Sequence, residues 1–366
     1  MDNSSSTAPT GTKAVGYGNN HSFSSLGPIE FERRPLGADD VGIRILYCGV
    51  CHSDVHQVAN DWSNTVYPCI PGHEIVGEVT GVGSDVTTFA IGEIVAVGCM
   101  VDSCGTCESC RDDLEQYCEG PVGPTLTYNG PVKPDGSNTY GGYSDAIVVK
   151  QHFVLKVPAN LDVKAVAPIL CAGVTTYSPL KHWKVGAGQR VGVIGLGGLG
   201  HMAVKLARAL GAEVTVFSTS EEKQGDALRF GATLFVLSTD ADAMEALELR
   251  YDFLIDTIPA AHDPNPFVKL LKRDGTLAVV GLLLPFSEKT NNQEVAFHRR
   301  SIAGSLIGGI AETQEVLDFC GQHQIAPEVE LIAIQDINDA HNRIKAGEVH
   351  YRYVIDVANT LTPERS

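Results

Sequence analysis

Long apolar stretches are missing from this chain. Nowhere do about 18 apolar residues run together, so no segment has the composition of a membrane-spanning helix. The first ten residues, MDNSSSTAPT, lack both the basic and the apolar region of a secretory signal. Basic side chains are also scarce, 27 Lys and Arg against 44 Asp and Glu, for a formal charge of −17. That balance repels polyphosphate backbones and anionic lipid, which excludes nucleic-acid binding and a basic membrane-surface role. The expectation is a soluble, cytoplasmic protein. Internal repeats are absent, and low complexity is confined to the polar first dozen residues. Ten cysteines in 366 residues are too few for the disulfide framework of a small secreted domain. The length points to two cores, since single cores stop growing near about 250–300 residues.

The first half carries short β-branched runs broken by Gly and Pro, at 41–45, 77–83 and 145–149. They predict an irregular, mostly antiparallel β region. Residues 119–143, with Gly-Pro, Asn-Gly and Pro-Asp-Gly turns, read as a long loop. From about Pro158 apolar strands alternate with helical stretches. Strands are expected at 190–194, 213–217, 232–236, 253–256 and 276–281, and a helix at 199–210 with Gly211 capping its end. This alternation argues a parallel sheet covered by helices. A helix at 313–323 and a strand at 351–356 most simply return to the first domain. The expected domains are 1–157 with 313–366, and 158–312.

Cys104, Cys107, Cys110 and Cys118 form C-x2-C-x2-C-x7-C inside a short Gly/Ser/charged loop. One tight loop can wrap four thiolates around a tetrahedral zinc, and with no ligand position left for water such a site is structural. An iron–sulfur cluster also takes four thiolates, and free or disulfide-bonded cysteines are the third reading. Elsewhere Cys51, His73 and Cys171 each sit in a turn-forming segment. A Cys, His, Cys set gives zinc three protein ligands and leaves one position open, the arrangement of a catalytic site. Glu74 could approach the metal, and Asp54 could orient a ligand. Taken singly each has a plainer reading, Cys171 as a small buried hydrophobe and His73 as a satisfied turn histidine.

Gly195, Leu196, Gly197, Gly198, Leu199 and Gly200 follow an apolar strand and open a helix. Such a loop allows a tight turn, close approach to a pyrophosphate and close helix–strand packing, with the helix start donating to the anion. At the end of the next strand, where an acid would bind the ribose 2′-OH of NAD, the chain has Ser218, Thr219 and Ser220, with Lys223 following. Hydroxyls and an ammonium suit a 2′-phosphate that a carboxylate would repel, so NADP(H) is expected. Glu221 and Glu222 work against that reading, and the hydroxyls could instead cap the next helix.

In this order, the motifs resemble those of the zinc-containing medium-chain alcohol dehydrogenases, and the resemblance spans nearly the whole chain. Within that family the chain looks most like the cinnamyl-alcohol-dehydrogenase branch, especially its bacterial broad-range NADPH-dependent aldehyde reductases. The residues that carry it are 51–54 (CHSD), 72–77 (GHEIVG), 166–173 (VAPILCAG), the Ser218–Lys223 pattern and 304–309 (GSLIGG). The resemblance implies an α/β protein, with a GroES-like mostly-β catalytic domain beside a Rossmann doubly wound parallel-sheet domain and the active site between them. It implies two Zn2+ per chain, one held by Cys51, His73 and Cys171 with Glu74 close by, the other by the cysteine loop. Asp54 would be the partner of a ligand, Ser53 and His56 a proton relay, His52 would approach the cofactor pyrophosphate, and Thr175 would lie near the cofactor. The implied reaction is hydride transfer from NADPH to an aldehyde, with zinc as Lewis acid. Intact Ser53 and His56 count against reduction of an iminium or activated alkene, and the full ligand set against a non-enzymatic binding protein. By family position Trp62, Cys99, Leu126 and Leu306 either line the pocket or serve as ordinary packing, and a homodimer is expected through the sheet edge near 301–308; the cysteines left over from the two metal sites, Cys48, Cys69, Cys99 and Cys320, are expected to be buried thiols.

Overall fold

The computed structural model describes residues 11–130, 138–281 and 284–361, which are organised around two main sheets. The first sheet has seven strands. Its long strand, Asp40–Val50, pairs antiparallel with Ile75–Val82, Ala146–Lys150 and Arg352–Asp356. Val41, Ile43 and Ile45 are buried while Arg44 between them is exposed, the period of two that drives a half-buried strand. The chain leaves this sheet after Leu155–Lys156 and returns at Val329–Ile332, which pairs parallel with Arg352–Asp356.

The second sheet is wholly parallel, in the order Leu234–Leu237, Glu213–Ser218, Arg190–Ile194, Tyr251–Asp256, Leu271–Val279, Ser301–Gly304. Its central strands are buried run by run, with Val191, Val193, Val214, Val216, Leu254 and Ile255 all closed to solvent, as a parallel sheet covered on both faces requires. Strand order reverses between Arg190–Ile194 and Tyr251–Asp256. The crevice outside the carboxyl ends of those two strands is where such sheets bind ligands. Among the described residues no single helix is long and apolar enough to cross a membrane.

Several elements differ from their sequence expectation for identifiable reasons. The strand expected at 276–281 is Leu271–Val279; its first half is hidden by the polar Lys272, Arg273 and Asp274 and by a register shift opposite Tyr251 and Phe253. The helix expected at 313–323 is Ile310–His323, because Glu115, distant in sequence, accepts the Ile310 N–H at 3.0 Å and so extends the helix beyond any local cap. The expected loop 119–143 contains a two-residue strand, Thr125–Leu126, paired with Met100–Asp102, and 131–137 lie outside the described residues. All ten cysteines are free thiols, and of the four expected to be buried Cys48, Cys69 and Cys320 are, whereas Cys99 is only half-buried.

Candidate active site

Three segments converge on one buried cluster. Cys51 follows the long strand Asp40–Val50 and caps the helix His52–Ala59, its N–H donating to Asp54 Oδ2 at 2.9 Å. His73 and Glu74 lead into Ile75–Val82. Cys171 caps the helix Ala172–His182 on the other side. Ligand atoms of Cys51, His73, Glu74 and Cys171 all lie within 4.8 Å of one another, and all four residues are buried.

The donor set fits zinc. Cys51 Sγ and Cys171 Sγ are 3.8 Å apart, and two sulfurs each about 2.3 Å from one tetrahedral ion stand about 3.8 Å apart. His73 Nδ1 meets Asp54 Oδ1 at 3.1 Å, which leaves Nε2 as the ligating nitrogen. Asp54 is fully buried and also accepts from Gly72 N–H at 3.3 Å and Tyr143 OH at 3.2 Å, so the carboxylate that orients the imidazole is itself held on several sides. The Cys171 hydrogen bond draws the Cys51 thiol well below its ordinary value against the cost of burial.

Glu74 is held by a residue absent from the sequence reading. Arg352, at the start of the returning strand, is buried and its Nη2 donates to Glu74 Oε1. Burial pushes the Glu74 carboxyl up to about 8, with the Arg352 guanidinium pulling the other way. On its other side Arg352 reaches the glycine loop, where a Cβ on Gly198 would lie 2.9 Å from Arg352 Nη1. A charged residue opening an otherwise apolar strand was the one sequence signal that could have singled it out.

The glycine loop adopts the geometry its sequence demands. Gly195 takes φ +89°, and a Cβ on Gly200 would lie 2.2 Å from the Gly195 carbonyl oxygen, so only glycine lets the helix Gly198–Ala209 approach its strand. Lys223 Nζ donates to Leu196 O at 2.9 Å, which ties the segment after Glu213–Ser218 to this loop. Thr219 is exposed and Ser220 half-buried, whereas Ser218 is buried and its Oγ accepts the Ser220 N–H at 3.2 Å. Thr175 Oγ1 is buried without a partner and Arg352 Nε is likewise unpaired, two polar atoms left for a ligand in the crevice.

On the helix His52–Ala59, His52 stacks on His56 with ring centroids 4.9 Å apart, and His56 Nδ1 meets Asp61 Oδ2 at 2.6 Å. Burial, with His56 beside it, lowers His52. Ser53, half-buried, lies between them in sequence. Of the pocket candidates, Cys99 stands beside Cys171, while Trp62, Leu126 and Leu306 are partly exposed.

The four-cysteine loop also fits zinc. Ligand atoms of Cys104, Cys107, Cys110 and Cys118 lie within 4.8 Å of one another, with Cys104 and Cys110 sulfurs 3.9 Å apart. Backbone amides of Thr106 and Cys107 draw Cys104 down to about 6. The loop docks away from its cysteines. Glu115 accepts from Ile310, and Tyr117 OH accepts the Leu306 N–H at 3.2 Å.

Comparison with known proteins follows the same division as the two sheets. Residues 37–159 match the alcohol dehydrogenase GroES-like domain, and residues 198–322 match the zinc-binding dehydrogenase domain. The chain belongs to this family of zinc-binding alcohol dehydrogenases. An aldehyde reductase of Escherichia coli, YahK, is 50% identical over 338 residues, covering 92% of this chain and 96% of the relative. A cinnamyl alcohol dehydrogenase of Sorghum bicolor superposes with a TM-score of 0.92 at 43% identity, covering 96% of this chain and 100% of that one. The cinnamyl alcohol dehydrogenase of Helicobacter pylori, solved with NADP(H), does so with a TM-score of 0.88 at 42% identity over 96% of this chain and 99% of that one.

Proposed function

We propose that the protein reduces aldehydes to primary alcohols with NADPH, reversibly, in the crevice between the two sheets. The observation that carries this is the buried cluster of two thiols, an imidazole and a carboxylate, joined through Arg352 to the glycine loop at the switch point of the parallel sheet. Cys51, His73 and Cys171 would hold a zinc ion with Glu74 beside it, and that ion when bound supplies Lewis-acid stabilisation of negative charge on the substrate oxygen.

The remaining steps belong to the chain's own side chains. Asp54 fixes the His73 ring so that Nε2 faces the cluster. Ser53 Oγ gives up the proton that the product alcohol needs. His56 Nε2 brings in from solvent the proton that restores Ser53, since Nδ1 is engaged by Asp61 and the ring is steadied on His52. The helix start at Gly198, Arg352 and His52 face the cofactor pyrophosphate, and Thr175 Oγ1 contacts the cofactor nearby. Thr219, Ser220 and Lys223, with Ser218 shaping the turn, receive the 2′-phosphate of NADP(H). Residues 1–157 with 313–366 form the metal-bearing domain, and 158–312 the dinucleotide domain. Ser301–Gly304 is an edge strand, with Phe297 79% exposed nearby, which supports a homodimer built across that edge. The enzyme works in the cytoplasm.

NADPH oxidation measured across benzaldehyde, cinnamaldehyde and short aliphatic aldehydes tests this, with Cys51→Ser alongside wild type. The variant should lose roughly 10³-fold or more in kcat, the scale of Lewis-acid stabilisation. Equal rates from the two would overturn the metal assignment. An NADH kcat/KM equal to that of NADPH would overturn the cofactor assignment, and metal analysis should find one zinc for each of the two clusters.

A further inference from the structure

His262 lies outside every motif described above, yet it contacts the end of the strand that runs beside the glycine loop. Asp256 ends the strand Tyr251–Asp256 directly opposite Ile194, the residue before the glycine loop. Thr257 N–H donates to Ile194 O at 3.0 Å, and Thr257 Oγ1 donates to the same oxygen at 2.8 Å. A Cβ on Gly195 would meet Thr257 Oγ1 at 3.1 Å and Ile258 Cγ1 at 3.2 Å, so residues 256–258 form the wall against which the glycine turn rests.

Asp256 is 1% exposed. Its Oδ1 accepts the Ile258 N–H at 3.1 Å, and its Oδ2 meets His262 Nε2 at 2.8 Å. His262 Nδ1 meets the Ala260 carbonyl oxygen at 2.9 Å. A carboxylate and a carbonyl oxygen only accept, so both ring nitrogens must carry hydrogen and the ring is an imidazolium. The charged groups acting on it are Asp256 and Asp263, both favouring the cation, and among the described residues the rings of Phe267 and Phe286 pack edge-on against it.

A buried carboxylate at the switch point would repel the diphosphate of a dinucleotide. We propose that His262 is a positioning residue for the cofactor: as an imidazolium it cancels the charge of Asp256 and pins the 256–262 turn against the glycine loop, so that its loss weakens NADPH binding. This rests on the dinucleotide reading of the crevice. The sign of the pH effect follows from the pair. The hydrogen bond to Asp256 raises His262 above its ordinary value, so the cation is complete below pH 6.5 and is lost as pH rises through the raised value.

Fluorescence titration of NADPH into the zinc-loaded protein across pH tests the proposal without turnover. Wild type should bind with a dissociation constant that rises roughly tenfold through the His262 transition, on the scale of one desolvated charge. His262→Gln, which keeps one donor, should bind about tenfold more weakly at low pH and lack that transition, its ligand titrating as for wild type. In Asp256→Asn the His262→Gln change should have less than threefold effect, since there is no charge to cancel. Binding that is alike in magnitude and pH profile for wild type and His262→Gln overturns the proposal alone. A wild type that binds no NADPH at any pH overturns the dinucleotide reading and the proposal with it.

Discussion

The buried cluster and the four-cysteine loop each gather four ligand atoms within 4.8 Å of one another and differ in nearly everything that surrounds them. Cys51 and Cys171 are 120 residues apart in sequence, and their meeting depends on both sheets and on the returning C-terminal strand. The loop gathers its sulfurs within 104–118 and settles them with its own backbone. Cys104 Sγ accepts from Thr106 and Cys107, Cys107 Sγ from Cys110 and Glu119, and Cys118 Sγ from Cys104 and Gly120. Thiolate charge in the loop is therefore met locally, in partly exposed surroundings. Charge in the buried cluster is met by the whole fold, through Asp54 on His73 and Arg352 on Glu74. Damage to the first should reach chemistry and global stability together, whereas damage to the second should remain a matter of stability.

The largest break in that comparison should come from Arg352. Removing it by Arg352→Met leaves the Glu74 carboxyl buried without its partner, which costs about 1–3 kcal/mol. Chemical denaturation of the zinc-loaded enzyme should show that loss, and kcat should fall with it because Glu74 is released beside the metal cluster. A matched change in the loop, Arg111→Gln, removes an exposed guanidinium that donates to Thr106 O at 2.8 Å, and should stay within about 0.5 kcal/mol of wild type. Equal losses from the two variants would erase the distinction between a charge met by the fold and one met locally.

The same contrast explains what could be read before the fold was known. The cysteine loop was legible because its spacing is its geometry, and the glycine loop because Gly195 and Gly200 answer a local steric demand. Cys51, His73 and Cys171 could be nominated only as ligand-type residues in turns, since no periodicity reports which turns meet. Arg352 offered only the weak signal of a charge opening a strand, because its partners, Glu74 just before Ile75–Val82 and the space at Gly198 at a helix start, lie far from it in sequence. Glu115 escaped notice in the same way, because the amide it accepts belongs to Ile310. Leu271 to Asp274 misled because three polar residues sit within a strand whose inward positions are apolar only on either side of them.

Breaking the loop itself should sharpen the comparison from the other side. Cys107→Ser removes one of four ligands and with it the ion that cross-links a segment poor in apolar contacts. The melting temperature should drop by roughly 5–10 °C, on the usual scale of a few degrees per kcal/mol. Below the transition kcat/KM should stay within about threefold of wild type, because the change is remote from the reacting atoms. Metal analysis alongside calorimetry checks both halves. A Cys107→Ser enzyme that keeps its melting temperature but loses turnover would reverse the roles assigned to the two clusters.

The smallest effect should appear where the loop meets the rest of the molecule. Glu115 accepts from Ile310 through one oxygen and meets His152 Nε2 at 2.7 Å through the other. The Glu115 hydrogen bond raises His152 above 6.5; burial pushes Glu115 up, but the bonds from His152 and Ile310 outweigh it and leave the carboxyl below 4.5. The His152 contribution is therefore complete below pH 6.5 and is lost as pH rises through its raised value. The Glu115 contribution is complete above pH 4.5 and is lost as pH falls through its lowered value, so the junction is tightest between the two. His152 is 56% exposed, and solvent screening keeps the gain below about 1 kcal/mol. Melting curves for wild type and His152→Gln should accordingly differ by about 1–3 °C inside that window and converge in alkali. A difference that stays constant with pH would mean that this junction holds by packing alone, and that the loop is tied to the catalytic half by contacts no more ionic than its own backbone.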